Sequence, residues 1–394
     1  MYAKSLRILI SCMLVGAICV VILGAYTRLA DAGLGCPDWP TCYGHLWVPD
    51  TVTEIEIANV NFTDTPVEMD KTWPEQTHRI FASSLGLLVL ASFYMLNKRY
   101  AHVLGLRKAN ILVTLLAALV GATVLRIIVG QIVEPLLGLL VLAYFVALAL
   151  RHRACKRSGT EQPVRHAYFL AATLCGLVVV QGLFGMWTVT LKLWPQVVTA
   201  HLLGGFLTLT LVSWLFVEIW ELRFRVATSN SAVRRLAATA LVCVFLQILL
   251  GGWTSSNYAA LACPDFPTCQ NQWLPEMDMV GGFDIFQDVG PNYLGGQLDN
   301  LSRVAIHYSH RVGAFIVMAL VLALALALMR GGNKRLGAAL VLLLTTQLLL
   351  GVSNVVFALP LAVAVVHNAG GAALLIFLTL LNVQLRQTST KTQL

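Results

Sequence analysis

The chain has 394 residues, 58% hydrophobic and only 12% charged, with a formal net charge of +8 and a mean hydropathy of +0.75. A soluble domain carries about twice that share of charge, which excludes a water-soluble globule. The positive balance does not point to nucleic acid, because Lys and Arg gather at the ends of apolar runs, where membrane insertion leaves them.

Runs of about 18 apolar residues or more can cross a bilayer. In chain order they fall at 8–28, 77–97, 107–126, 134–150, 166–190, 196–220, 235–254, 304–329, 335–358 and 361–385. They predict an all-α polytopic membrane protein with about ten transmembrane helices, eight being the alternative. The first run is read as a retained helix. It is too long for a signal-peptide core, and no Arg- and Ser-rich leader precedes it, which favours a bacterial inner membrane over an organelle precursor.

Basic residues set the orientation. Lys4 and Arg7 precede the first run, Lys98 to Lys108 follow the second, and Arg151 to Arg157 follow the fourth. Arg223 to Arg235, Arg330 to Arg335, and Arg386 with Lys391 continue the pattern. With ten spans all lie on one side. Both termini are then cytoplasmic, and two long loops, 29–75 and 255–303, face outside.

Those loops carry a repeat. Cys36-Pro37-Asp38-Trp39-Pro40-Thr41-Cys42 returns as Cys263-Pro264-Asp265-Phe266-Pro267-Thr268-Cys269. Gly24 to Thr27 parallels Gly251 to Thr254, and Thr77-His78-Arg79 parallels Ser309-His310-Arg311. Gln181, Gly185, His201, Gly204 and Gly205 match Gln347, Gly351, His367, Gly370 and Gly371. Such self-similarity predicts two halves of like fold. The boundaries are 1–225 and 226–394, with an inserted helical hairpin at about 103–155 in the first half. Arg126 and Glu134-Pro135 mark its outer turn.

Cysteines six apart in an oxidising compartment can close small disulfide rings, Cys36–Cys42 and Cys263–Cys269. A four-cysteine zinc site is the rival, although the spacing is not the tight C-x-x-C type. Cys12, Cys19, Cys175 and Cys243 lie in apolar runs and read as small hydrophobes. His45, His102, His152 and His166 sit in loops or among basic residues at the membrane edge and read as solvated or interfacial.

His78, His201, His310 and His367 differ, because each lies in the first turns of a span running inward from the outer face. A lone histidine on an apolar helix is usually structural. Four at one depth, two per half, mark function, since ionisable groups in a bilayer are costly. Two imidazoles on facing helices are what bis-histidine haem ligation needs. Gly204-Gly205 and Gly370-Gly371, one turn on, leave room for a flat macrocycle. Arg79 and Arg311 can pair with haem propionates or simply snorkel. Glu75, three residues before His78, shares its helix face. The matching position before His310 is His307, which is either a supporting residue or an alternative ligand. The halves therefore have different tasks.

This ordered set resembles the haem A synthase family, in its proteobacterial and mitochondrial branch. The motifs are Gly24-x-Tyr26-Thr27-Arg28, the cysteine loops, Glu75-x-x-His78-Arg79, Gln181 to Trp187, His201, His310-Arg311, Gln347 to Gly351, and His367-Asn368-Ala369-Gly370-Gly371. The resemblance implies two pseudo-symmetric four-helix bundles. The C-terminal one holds haem b through His310 and His367. The N-terminal one holds the substrate, haem O, through His78 and His201, with Glu75 at the methyl group to be oxidised. Two hydroxylations and loss of water give the formyl group of haem A, with water as oxygen source and electrons leaving through haem b. Expected partners are haem O, membrane lipid, haem O synthase and cytochrome oxidase assembly factors, with a homo-oligomer left open. The rival reading is a dihaem b-type electron-transfer protein. It explains four histidines but not a glutamate confined to one half.

Overall fold

In a lipid environment every backbone N–H and C=O must be satisfied within its own segment, so apolar runs become helices. The computed structural model describes residues 3–102, 104, 111–129, 134–157, 162–222, 226 and 230–391. Twelve helices follow one another in the described residues, and no strand accompanies them. They are α1 (Lys4–Leu29), α2 (Val52–Asn61), α3 (Met69–Tyr100), α4 (Ile111–Val129), α5 (Glu134–Arg157), α6 (Gln162–Thr190), α7 (Pro195–Ile219), α8 (Ser231–Ser256), α9 (Met279–Gly282), α10 (Asn300–Arg330), α11 (Lys334–Val356) and α12 (Leu361–Lys391). Among the described residues nine are long and apolar enough to cross a membrane. The shorter apolar stretch Ile111–Leu125 lies in α4. Large apolar side chains stand exposed on these helices, including Leu87 at 68%, Leu142 at 62% and Leu342 at 68%, as lipid-facing surfaces require. The chain is an all-α polytopic membrane protein.

The helices outrun the apolar windows where capping groups and polar turns extend them. Asn230 and Asp299 cap α8 and α10 by accepting from the N–H groups of Val233 and Ser302. The sequence pattern gave no signal for α2, which lies in the first outer loop and opens with a Thr51–Glu54 capping box. The expected hairpin 103–155 takes the form of α4 and α5, which pack together. Its turn, 130–133, and the side chains of Arg126 and Glu134 lie outside the described residues, as do Arg107, Lys108, Arg223 and Arg225.

Two compact units result. The first comprises Met1–Val20, Arg79–Gly185 and Leu207–Leu222. In it α1 meets α3 where Gly16 faces Leu85, and α3 meets α6 through Tyr168 Oη donating to Asn97 at 3.0 Å. Helix α6 meets α7 where His166 approaches the buried Glu218 at 3.9 Å. The ring closes through Arg7, 3.8 Å from Glu221 and stacked on Trp220. Tyr144 of α5 is fully buried and donates to the Ala172 carbonyl at 2.6 Å, tying the hairpin to α6.

The second unit comprises Val21–His78, Met186–Phe206 and Arg223–Leu394. There α8 packs on α10 and α12, and α11 packs on the same two, closing a four-helix bundle. Its backbone repeats the duplication residue by residue. Left-handed conformations occur at Asp31 and Tyr258, at Tyr43 and Gln270, at Lys192 and Ala358, and at Leu193 and Leu359. Each pair occupies equivalent places in the repeat.

Candidate functional site

All four histidines and Glu75 lie within the second unit. His201 and His367 are each the seventh residue of their helices, α7 and α12, while His78 and His310 sit about one turn deeper in α3 and α10.

Helix α1 allows the first histidine its place by having no side chain beside it. A Cβ on Gly24 would stand 2.8 Å from His78 Cε1. The same device recurs on α8, where a Cβ on Gly251 would lie 3.2 Å from His310 Cε1, and on α11, where one on Gly351 would lie 3.1 Å from His367 Cε1. Three rings therefore rest edge-on against backbone, which fixes their positions more tightly than a lipid-like neighbour could.

His78 and His201 face one another with ring centroids 6.4 Å apart and planes perpendicular. Two imidazole nitrogens about 2.0–2.1 Å from one shared metal, with a ring radius of roughly 1.1 Å on either side, require about 6.3 Å. The donor set and its spacing fit a bis-histidine iron, the group that haem binding implies.

Glu75 is buried, at 4% exposure, and accepts a hydrogen bond from the Cys36 N–H at 2.9 Å. The disulfide loop is thereby fastened to the carboxylate that shares a helix face with His78. Gln76 adds a second tie, donating to the Leu46 carbonyl at 2.6 Å. At the equivalent place in the second copy, His307 is also buried and its Nδ1 lies 3.0 Å from the Ala259 carbonyl, a backbone tie of a supporting residue. Arg311 donates to the carbonyls of Thr268 and Cys263 at 2.7 and 2.8 Å and lies over the Phe266 ring. It holds the second loop in place, a role its position in the sequence did not reveal. Arg79 is half-buried beside His78.

Both cysteine pairs are disulfide-bonded, and all four cysteines are buried. Among the described residues no cluster of His, Cys, Asp or Glu could hold a metal ion, so the zinc alternative lacks a site there. Each ring is organised by its aspartate. Asp38 accepts from the Thr41 hydroxyl at 2.5 Å and from the N–H groups of Tyr43 and Gly44 at 2.6 and 2.8 Å. Asp265 accepts from Thr268 and from the N–H groups of Gln270 and Asn271. The Thr268 hydroxyl first, then the two N–H groups, hold the Asp265 carboxyl below the usual carboxylate range.

A glutamine beside His367 completes the picture. Gln347 Nε2 lies 3.5 Å from His367 Nε2, and its Oε1 fills the space a Cβ on Gly370 would need. Gly370 thus accommodates Gln347, which the reading of the glycine pair as macrocycle space did not foresee. A Cβ on Gly205 meets nothing within 4 Å.

The chain matches the family profile described as "Cytochrome oxidase assembly protein" over residues 7–133 and 128–379. It is 38% identical over 383 residues to a protein named Heme A synthase from Shewanella oneidensis, covering 96% of each chain. A Heme A synthase from Nitrosospira multiformis is 25% identical over 93% of this chain and 88% of its own. One from Caulobacter vibrioides is 29% identical over 54% of this chain and 61% of its own.

Proposed function

The chain belongs to the haem A synthase family of cytochrome oxidase assembly proteins, and on that premise we propose how its residues divide the reaction. The activity is oxidation of the methyl group of haem O to a formyl group, giving haem A for cytochrome oxidase. Methyl to formyl proceeds by two hydroxylations and loss of water. With water as the oxygen source, each hydroxylation releases two electrons and two protons.

The observation that carries the assignment is the facing pair His78 and His201 at 6.4 Å, with buried Glu75 one turn from His78. The first half, 1–225, holds haem O through these imidazoles. The second half, 226–394, holds haem b through His310 and His367, and when bound it supplies a one-electron acceptor. Glu75 takes the proton from attacking water or stabilises the electron-poor carbon. The Cys36 N–H fixes one oxygen of that carboxylate, so the base is aimed before substrate arrives. Arg79 and Arg311 place positive charge at the outer edge for the propionates. The two disulfide loops act as lids that limit water entry.

The protein resides in a bacterial inner membrane with both termini cytoplasmic and both haem sites toward the periplasm. The side-specific placement of Lys and Arg supports that orientation. Haem O synthase and the assembly factors of the oxidase are the partners this placement serves. One experiment tests the assignment: express the chain with a haem O source and identify extracted haems by chromatography and mass. Haem A appears with the native chain and falls at least tenfold with Glu75→Ala while bound haem persists. Extracts with only haem B and haem O from the native chain refute it.

A further inference from the structure

Two residues on one face of α8, one turn apart, address the ring of His310: Gly251 meets its Cε1 edge and Gln247 its Nδ1. The Gln247 Nε2 lies 3.0 Å from His310 Nδ1 and donates to the His310 carbonyl at 2.8 Å. Both contacts fall on one side of the amide. Its Oε1 is buried without a hydrogen-bond partner among the described residues. That oxygen occupies the place where a Cβ on Gly313 would stand, 2.2 Å away. Gln247 therefore depends on Gly313, because any side chain there would displace the amide.

The first copy lacks both members of this pair. Four residues before Gly24, where Gln247 precedes Gly251, stands Val20. Three residues after His78, where Gly313 follows His310, stands Phe81. Valine cannot hydrogen-bond, and phenylalanine takes up the room glycine leaves. Gln347, in contrast, has its counterpart in Gln181. The Gln247–Gly313 pair thus belongs to His310 and has no equivalent at His78.

We propose that Gln247 is a positioning residue that hydrogen-bonds the second ring nitrogen of His310 and so makes the C-terminal haem site electronically unlike the N-terminal one. The inference rests on His310 serving as an axial ligand. An imidazole that binds iron through Nε2 carries its proton on Nδ1. A half-turn of the Gln247 amide about Cγ–Cδ exchanges Nε2 and Oε1. Oε1, which lacks a partner among the described residues where it now lies, then accepts this proton in place of the bond that Nε2 makes to the His310 carbonyl. A hydrogen bond of this kind fixes the tautomer and raises the basicity of the coordinating nitrogen, which favours the oxidised metal and lowers the reduction potential.

The test uses full-length protein purified from cells without a haem O source, so that only the resident haem is bound. Midpoint potential and low-spin spectrum are compared for the native chain, Gln247→Leu and Gln247→Glu. Leu, which removes the hydrogen bond, raises the potential, and Glu, a stronger acceptor, lowers it. If Leu sheds its haem, a lowered potential in Glu still supports the proposal. Retained haem with an unmoved potential in either variant overturns it, as does loss of haem from both, which would make Gln247 a packing residue. His310→Ala separates the two layers: a low-spin spectrum that survives this change refutes the ligand assignment itself.

Discussion

Gly24→Ala places a methyl group 2.8 Å from His78 Cε1, where ordinary contact begins at 3.4 Å. The ring must retreat by about 0.6 Å, or α1 must shift by as much. A free imidazole turns aside at little cost, but His78 is held 6.4 Å from His201, the span that a shared iron requires. The cost therefore falls on ligation. Overpacking of this kind costs about 1–3 kcal/mol, which weakens haem binding on the order of 5- to 150-fold. Haem content and the low-spin spectrum of the purified protein read this directly, with thermal unfolding as the check on fold. The same change at Gly351 and Gly251, with clearances of 3.1 and 3.2 Å, produces smaller losses, in that order. Gly86→Ala, on the same helix as His78 but with nothing within 4 Å, is the control and leaves the spectrum unchanged. Equal haem content in Gly24→Ala and Gly86→Ala refutes the idea that backbone glycines seat the ligands.

Other outcomes follow from the same geometry. Arg28→Lys loses the stack on Tyr258 and one or both of its bonds to the Tyr258 hydroxyl and the Ser255 carbonyl. It lowers stability by about 1–3 kcal/mol in detergent melts, more than Tyr258→Phe does. Asp38→Ala removes three hydrogen bonds from the first loop and makes it more susceptible to protease, while Trp39→Phe, the residue type of the second copy, has little effect. Because the Asp265 carboxyl is held below its ordinary range, its contribution is fully present above the unfolded value of about 3.9. It is lost only as pH falls through the lower folded value. Protease sensitivity of loop 263–269 is therefore flat from pH 8 to about pH 5 and rises only in stronger acid.

The spans were legible because lipid leaves an apolar run one structural option. Their ends were less so: α3 begins at Met69, well before the apolar window, because Asp70, Lys71 and Glu75 prolong a helix without being apolar. The duplicated histidines stood out as polar residues repeated where polarity is costly. What the repeat could not show was its own exceptions. Gln247 is a single polar residue on an apolar helix, and its purpose appears only when its nitrogen is found beside His310. Gly24 and Gly251 were visible as matching letters, but a glycine's purpose lies in what approaches it. Asp38 and Asp265 looked like loop polarity until each proved to gather three donors.

The contact of Arg28 and Asp31 with Ser255 and Tyr258 joins equivalent positions of the repeat: 28 corresponds to 255, and 31 to 258. That is the pattern of a two-fold interface between identical subunits, preserved inside one chain after fusion. Its chemistry is no longer self-complementary. Two first halves set face to face would bring Arg28 against Arg28 and Asp31 against Asp31, whereas a first half against a second sets a cation against a carbonyl and an aromatic face. The first half has become a key cut for the second, with a charged pair that its own copy would repel.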